Sequence, residues 1–224
     1  MKKNKTPQAP VLHFQQQDIV LSYLLFRKMA KLFNAFYHHI RFAIAELLLK
    51  VPTLNVTDIC IRLRIEQTLI SQHLAIMRRS KVVVATRQGQ QVFYRLNTIR
   101  LVQLNELLTA LHPFYKYPTN INLTDKLYNL YFFHTATDLN HALYHVDRIK
   151  IISFLHRKPD CCVQDLYKGL DFGQSFTSQQ LRILRLNHLV SCQRKGKFVY
   201  YNLNHSLIAA YVKWAYVIFP PDPV

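Results

Sequence analysis

A chain of 224 residues, half of them hydrophobic, can form two domains of about 100 residues, each with its own core. Its net charge of +17 and pI near 9.9 favour a polyanionic partner, nucleic acid ahead of an anionic membrane surface. With 12 acidic residues against 29 Lys and Arg, and no paired-carboxylate pattern, Gly-rich phosphate loop or nucleophile elbow, nothing points to an enzyme.

The chain opens with Met1-Lys2-Lys3-Asn4-Lys5-Thr6-Pro7. This run is basic but has no apolar core and no small-residue cleavage site, so residues 1–17 are expected to be a basic disordered tail rather than a leader. The apolar run Ile19 to Phe26 is broken by Ser22 and ends at Arg27, far short of the roughly 20 residues a membrane span needs. The expectation is a cytoplasmic protein with no membrane partner. Asp18 to Phe33 carries Val20, Leu24, Met29 and Leu32 near helical spacing. A second helix carries Ile40, Ile44, Leu47 and Leu48 and stops at Pro52. Thr57-Asp58 starts a short helix through Leu63, Asp58 suiting the positive end of the helix dipole. A further helix runs from Gln67 to Arg79.

The period then changes from helix to strand. Val82 to Arg87 is β-branched, Gln88-Gly89-Gln90 is a turn, and Val92 to Leu96 alternates as a second strand. A last helix, Ile99 to Leu111, ends at His112-Pro113. The order then repeats. Thr124 to Leu139 is helical, and Ile151, Phe154 and Leu155 mark a helix that stops at Pro159. Gln164-Asp165 leads to Leu170, and Gln174 runs to Leu186. A hairpin follows from Leu189 to Leu203, turning at Lys195-Gly196-Lys197, and a helix runs from Ser206 to about Ile218. Two of the four glycines, Gly89 and Gly196, fall at the same turn, which predicts positive φ or a close backbone approach.

The match is residue by residue. Residues 34–97 align with 141–204 without a gap, Asn97 falling on Asn204. Roughly a third of the positions agree, among them Tyr37/Tyr144, His38/His145, Arg41/Arg148, Asp58/Asp165, Ser71/Ser178, Gln72/Gln179, Arg78/Arg185 and Arg87/Arg194. The sequence thus reads as one small domain written twice: domain 1 over 18–112, a linker over 113–123, domain 2 over 124–219 and a short tail over 220–224.

Helix–helix–turn–helix–hairpin is the winged helix-turn-helix order. Its second paired helix enters the DNA major groove. On Gln67–Leu74 one face carries Thr68, Ser71 and Gln72 and the other Ile70, Leu74 and Met77. On Gln174–Leu181 the same face carries Ser175, Ser178 and Gln179. Gln can pair with adenine in two hydrogen bonds, and Ser and Thr contact bases or phosphate. With His73, Gln180, Arg78 and Arg182 on these helices, and Arg87, Gln90, Arg194, Lys195 and Lys197 on the hairpin tips, they form the candidate DNA-contacting set. The fold class is mainly α with small β-hairpin wings, in two tandem winged helix-turn-helix domains.

Each repeat resembles the arsenic-repressor (ArsR-type) winged-helix regulators. Their H-P-x-R-L-x-I-L segment is similar to His38-His39-Ile40-Arg41-Phe42-Ala43-Ile44 and His145-Val146-Asp147-Arg148-Ile149-Lys150-Ile151, without the proline. Their Q-S-T-V-S-R-H-L resembles Gln67 through Leu74, and their R-x-G-x-x-V-Y-Y-x-L resembles Arg194 through Leu203. The resemblance implies DNA-binding homodimers, paired through first and last helices, that release DNA on binding a metal or other signal. Two units in one chain would then form an internal pseudo-dimer, with a homodimer of chains as the alternative. Within the pseudo-dimer, the recognition helices are expected about one DNA turn, roughly 34–36 Å, apart.

The family's C-V-C-D-L metal motif is Cys162-Val163-Gln164-Asp165-Leu166 in the second copy and Asn55-Val56-Thr57-Asp58-Ile59 in the first. One cysteine in one repeat does not carry a metal site, so no metal and no cofactor is expected. Cys60, Cys161, Cys162 and Cys192 do not recur at matching positions and suit free thiols. His38 and His145 suit a helix cap or packing, and Tyr128, Tyr131, Phe132 and Phe133 a core or interface. The reading is a sequence-specific regulator of transcription, a repressor, bound to double-stranded DNA. The alternatives are a plasmid replication initiator and a winged-helix interaction scaffold.

Overall fold

The computed structural model describes residues 10–14, 17–115 and 126–220. The first nine residues, residues 15–16, most of the expected linker and the last four residues lie outside these, as do the side chains of Tyr128, Tyr131, Phe132 and Phe133.

The chain begins with an antiparallel pair, β1 (Val11–Phe14) and β2 (Gln17–Val20), registered Val11 to Val20. This corrects the sequence reading at two places. Residues 11–14 belong to a strand, not a disordered tail, and the helix expected from Asp18 starts five residues later as α1 (Tyr23–Asn34). Val20 and Leu24 fit a helical stripe, but Val11, Ile19 and Val20 are also β-branched. Ser22 sets the boundary: its Oγ accepts the Leu25 N–H at 3.3 Å and its carbonyl the Phe26 N–H.

The first winged set follows. It comprises α2 (His39–Lys50), β3 (Leu54–Asn55), α3 (Val56–Leu63), α4 (Gln67–Arg79), β4 (Val83–Gln88), β5 (Gln91–Leu96) and α5 (Thr98–Leu111). The second set repeats that order after α6 (Lys126–Leu143). It comprises α7 (Val146–Arg157), β6 (Cys161–Cys162), α8 (Val163–Leu170), α9 (Gln174–Leu186), β7 (Val190–Lys195), β8 (Phe198–Leu203) and α10 (His205–Ile218). Each wing is a three-stranded antiparallel sheet, ordered β3-β5-β4 and β6-β8-β7. The outer strands β3 and β6 are two residues long, too short to leave an alternating pattern in the sequence.

The fold is therefore mainly helical with small antiparallel wings. Its contacts divide the chain into two compact units that do not coincide with the sequence repeat. One is built from Lys28–Thr109 and the stretch that ends at Thr137. The other takes the chain up to Arg27, a short piece from Ala110, and the chain from Asp138 onward. The core of the first unit includes Met29, Leu32, Phe33, Ile44, Ile59, Ile70, Leu74 and Met77, all fully buried. The core of the second joins Leu21 and Phe26 to Leu139, Ile152, Leu155, Leu181, Leu184, Leu207 and Tyr211. There Asn140 Nδ2 donates to the Phe26 carbonyl at 3.2 Å, Tyr211 Oη donates to Asn140 Oδ1, and Tyr216 Oη donates to the Val20 carbonyl at 3.2 Å.

Gly89 and Gly196 sit at the hairpin tips with φ of 61° and 62°. A Cβ at either would meet nothing within 4 Å, so the glycine is required by conformation and not by space. Gly196→Ala should therefore cost about 1 kcal/mol, the price of a left-handed residue with a side chain. Thermal unfolding checks this, and a variant as stable as the parent would show the turn has relaxed to negative φ.

Candidate nucleic-acid interface

The paired helices are set by matching local signals. His38 Nδ1 accepts the Ile40 N–H at 3.2 Å and His145 Nδ1 the Asp147 N–H at 3.3 Å, so both histidines cap α2 and α7. Asn55 Oδ1 accepts the Asp58 N–H at the start of α3. At α8, Asp165 Oδ2 takes the Cys162 N–H at 3.0 Å and its thiol at 3.1 Å, and these bonds hold the Asp165 carboxyl below its usual range. Both short helices end on a left-handed residue, Arg64 and Asp171. α4 and α9 begin after the turn.

α4 buries Ile70, Leu74 and Met77 and exposes Thr68, Ser71, Gln72 and Arg78. α9 buries Thr177, Leu181 and Leu184 and exposes Ser175, Ser178, Gln179 and Arg182. On the wings Arg87, Gln90, Arg194, Lys195 and Lys197 are exposed. Thirteen of the fifteen candidate residues thus present accessible side chains. His73 and Gln180 do not, at 6% and 7% exposure. Each lies one step round its helix from the exposed Gln, which turns it inward.

What holds them is a feature the sequence reading did not assign. Arg41, 5% exposed, donates from Nε to the Ala35 carbonyl at 3.2 Å and from Nη2 to the Asn34 carbonyl at 2.6 Å, with Nη1 3.3 Å from His73 Nδ1. Arg148, 8% exposed, donates from Nε to the Ala142 carbonyl at 2.7 Å, from Nη2 to the His141 carbonyl at 2.7 Å and from Nη1 to Gln180 Oε1 at 2.9 Å. The carbonyls lie at or just past the C-terminal ends of α1 and α6, where helical acceptors lack intrahelical donors and a cation is favoured. One guanidinium in each unit therefore caps a helix and braces the helix that carries the exposed polar face, α4 in one and α9 in the other. The signal was available: a charged residue at the same repeat position on the apolar side of a helix.

The wings are not equal. Arg87 and Arg194 each donate from Nε to the glycine carbonyl of their own turn, at 3.1 and 3.2 Å. Lys195 also pairs with Asp160 and lies 5.1 Å from the centre of the Tyr200 ring. That contact and Asn202 hold the Asp160 carboxyl below its usual range. Thr53 and Gln88 stand at the corresponding places in the first copy. An open groove of about 450 Å³ lies beside the second wing, lined by Cys162, Gln164, Tyr167, Gln174, Lys197 and Phe198 among others. Cys161 is buried with its thiol on the Lys158 carbonyl at 2.9 Å, while Cys162 engages Asp165. The adjacent thiols thus face different partners. Among the described residues no three His, Cys, Asp or Glu side chains are placed to hold a metal ion, and no helix is long and apolar enough to cross a membrane.

The family model for bacterial regulatory proteins of the arsR family matches residues 145–191, from the α7 cap to the start of β7. The transcriptional repressor PagR of Bacillus anthracis is 33% identical over 94 residues, 42% of this chain and 94% of that protein. The chain belongs to the arsR family. A transcriptional repressor SmtB homolog of Synechocystis sp. is 42% identical over 66 residues, covering 29% of this chain and 49% of that one. The transcriptional activator HlyU of Vibrio cholerae serotype O1 is 37% identical over 59 residues, covering 26% and 55%. Against these two, the match spans about half the relative's length. The crystal structure of PagR aligns with 34% identity and a TM-score of 0.34, covering 39% of this chain and 99% of PagR. In this arsR-family chain the matched segment contains Arg148, α9 and Gln180, so the braced helix lies inside the matched region.

Proposed function

We propose that this chain is a sequence-specific, double-stranded-DNA-binding repressor of transcription, and that its two winged modules, the product of a duplication, work together as an internal pseudo-dimer. The observation that carries the reading is the paired polar face. Thr68, Ser71 and Gln72 on α4 recur as Ser175, Ser178 and Gln179 on α9, exposed in both, over a buried apolar face and beside a wing. Most aligned positions differ between the two copies, yet this face keeps its polar residue types. The charge of +17 supplies attraction to phosphate, and PagR and the SmtB homolog are named as transcriptional repressors. The faces are related but not identical: Ala75 stands where Arg182 stands, and Arg79 where Leu186 stands. The bound site is therefore an imperfect palindrome, each half preferred by one module.

The test is DNA binding across salt concentrations, using duplexes selected from random sequence. Log affinity should fall with log salt by about 0.9 per phosphate contact. Gln72→Ala and Gln179→Ala should each cost about 1–3 kcal/mol on selected DNA and little on random DNA. Lys197→Ala should weaken both alike. A flat salt plot would reject DNA binding and leave an interaction scaffold. Equal losses of the Gln variants on both DNAs would reject the chosen face.

A further inference from the structure

The two braces use the same arginine and the same pair of carbonyls but different acceptors on the recognition helix. In one unit the acceptor is an amide, Gln180; in the other it is an imidazole, His73. A guanidinium has donors only, so Arg41 Nη1 needs an unprotonated His73 Nδ1. The ring proton then sits on Nε2, which is buried with no hydrogen-bond partner among the described residues. An imidazolium would place a second donor where Arg41 already donates. An amide cannot undergo that change.

The surroundings reinforce the difference. α4 packs on α2, α3 and β4. The charged or titratable groups that bear on His73 are His38, Arg41 and His39, all at the start of α2; α3 and β4 contribute none. The His38 ring lies 4.4 Å from His73 and 4.5 Å from His39 between centroids. Burial first, then these neighbours, hold His73 below the ordinary histidine range. The cluster does not suit a metal ion. Nδ1 of both His38 and His73 already accepts a hydrogen bond, and the Arg41 cation lies beside them.

We propose that the first recognition helix carries an acid-sensitive brace: protonation of His73 removes the acceptor for Arg41 and frees α4, while the Gln180 brace keeps α9 in place. The proposal rests on the reading of α4 and α9 as recognition helices only for its consequence, that acid selectively releases one half of the DNA site. The sign follows from linkage. Unfolded His73 takes up its proton as pH falls below about 6.5, whereas the folded ring resists it. The brace is at full strength above that pH and is lost as pH falls further. His38 and His145, both lowered by burial and by Arg41 or Arg148, cap one helix in each unit and add a shared slope. His73 is the group that distinguishes α4.

The experiment is amide hydrogen exchange on the full chain at about pH 7.5 and about pH 5.5, corrected for intrinsic exchange, in the parent and in His73→Gln, which installs the acceptor the second unit already uses. In the parent, α4 should lose about tenfold protection relative to α9 in acid, and the substitution should abolish that loss. If α4 behaves alike in both proteins, the proposal is overturned. Footprinting on a duplex selected at neutral pH reads the consequence. The half-site that Gln72→Ala weakens should open in acid in the parent and stay protected in His73→Gln; both half-sites opening together would overturn selective release. If the chain protects no DNA at neutral pH, the DNA-binding reading fails, and the exchange data still decide the brace.

Discussion

Arg148→Ala should lower the unfolding free energy by about 3–5 kcal/mol, more than any other single polar truncation in the second unit. The side chain is 8% exposed and makes three hydrogen bonds, two to the last-turn carbonyls of α6 and one to Gln180. Truncation leaves three buried acceptors without their donor. Each orphaned group costs about 1–3 kcal/mol, partly relieved where water can enter the cavity. Arg148→Lys should recover only part of the loss. An ammonium is a point charge and cannot present a planar fork to three acceptors at once. The loss is read from urea unfolding followed by Trp214, the one tryptophan of the chain, on α10 of the same unit. A loss under about 1 kcal/mol would mean that the guanidinium is spectator charge and that α6 is capped by other means. Because Gln180 lies one residue beyond Gln179 on α9, the same variant should also blur discrimination between selected and random DNA. Loss of fold and loss of sequence preference then have a common origin.

Much of this molecule is legible in its sequence because the same signals occur twice. The pattern of Ile70, Leu74 and Met77 against Thr68, Ser71 and Gln72 identifies α4, and its recurrence at Leu181, Leu184, Ser175, Ser178 and Gln179 identifies α9. Gly89 and Gly196 mark turns that need positive φ. His38 and His145 mark helix starts, and both cap. What escaped the sequence is what depends on distant partners. His73 and Gln180 have the polarity of a DNA-reading face, and only the placement of Arg41 and Arg148 shows why they turn inward. The strands β3 and β6 have two residues each and take their definition from pairing with β5 and β8. The hairpin β1-β2 was hidden because Val20 and Leu24 also fit a helical stripe, and local spacing cannot choose between them. The division into units was hidden for the same reason: sequence similarity marks which segments share ancestry, whereas compactness depends on which segments bury one another.

That division gives the second large effect. Phe26→Ala should destabilise the unit that contains α9 by about 3–5 kcal/mol, although Phe26 lies in the first helix of the chain. Its ring is fully buried and lies 6.2 Å from Tyr211 between centroids. Its carbonyl accepts Asn140 Nδ2, and Asn140 in turn accepts the Tyr211 hydroxyl. Tyr211 has no exposed surface, and burial raises its phenol well above the usual value, so it stays a neutral donor. The small side chain would leave a cavity against Tyr211 and loosen the backbone that Asn140 grips. Tyr211→Phe separates the two contributions. It keeps the ring and removes only the donor to Asn140, at a cost of about 1–2 kcal/mol. Trp214 stands three residues beyond Tyr211 on α10 and reports on the same core. If Phe26→Ala leaves the Trp214 transition where it is, the start of α1 does not belong to the second module's core. In that case residues 126–220 should unfold with the same midpoint when expressed alone. If the transition moves as expected, that fragment, which lacks Leu12, Leu21, Leu25 and Phe26, should have no cooperative transition at all, because the surface those side chains cover would face water.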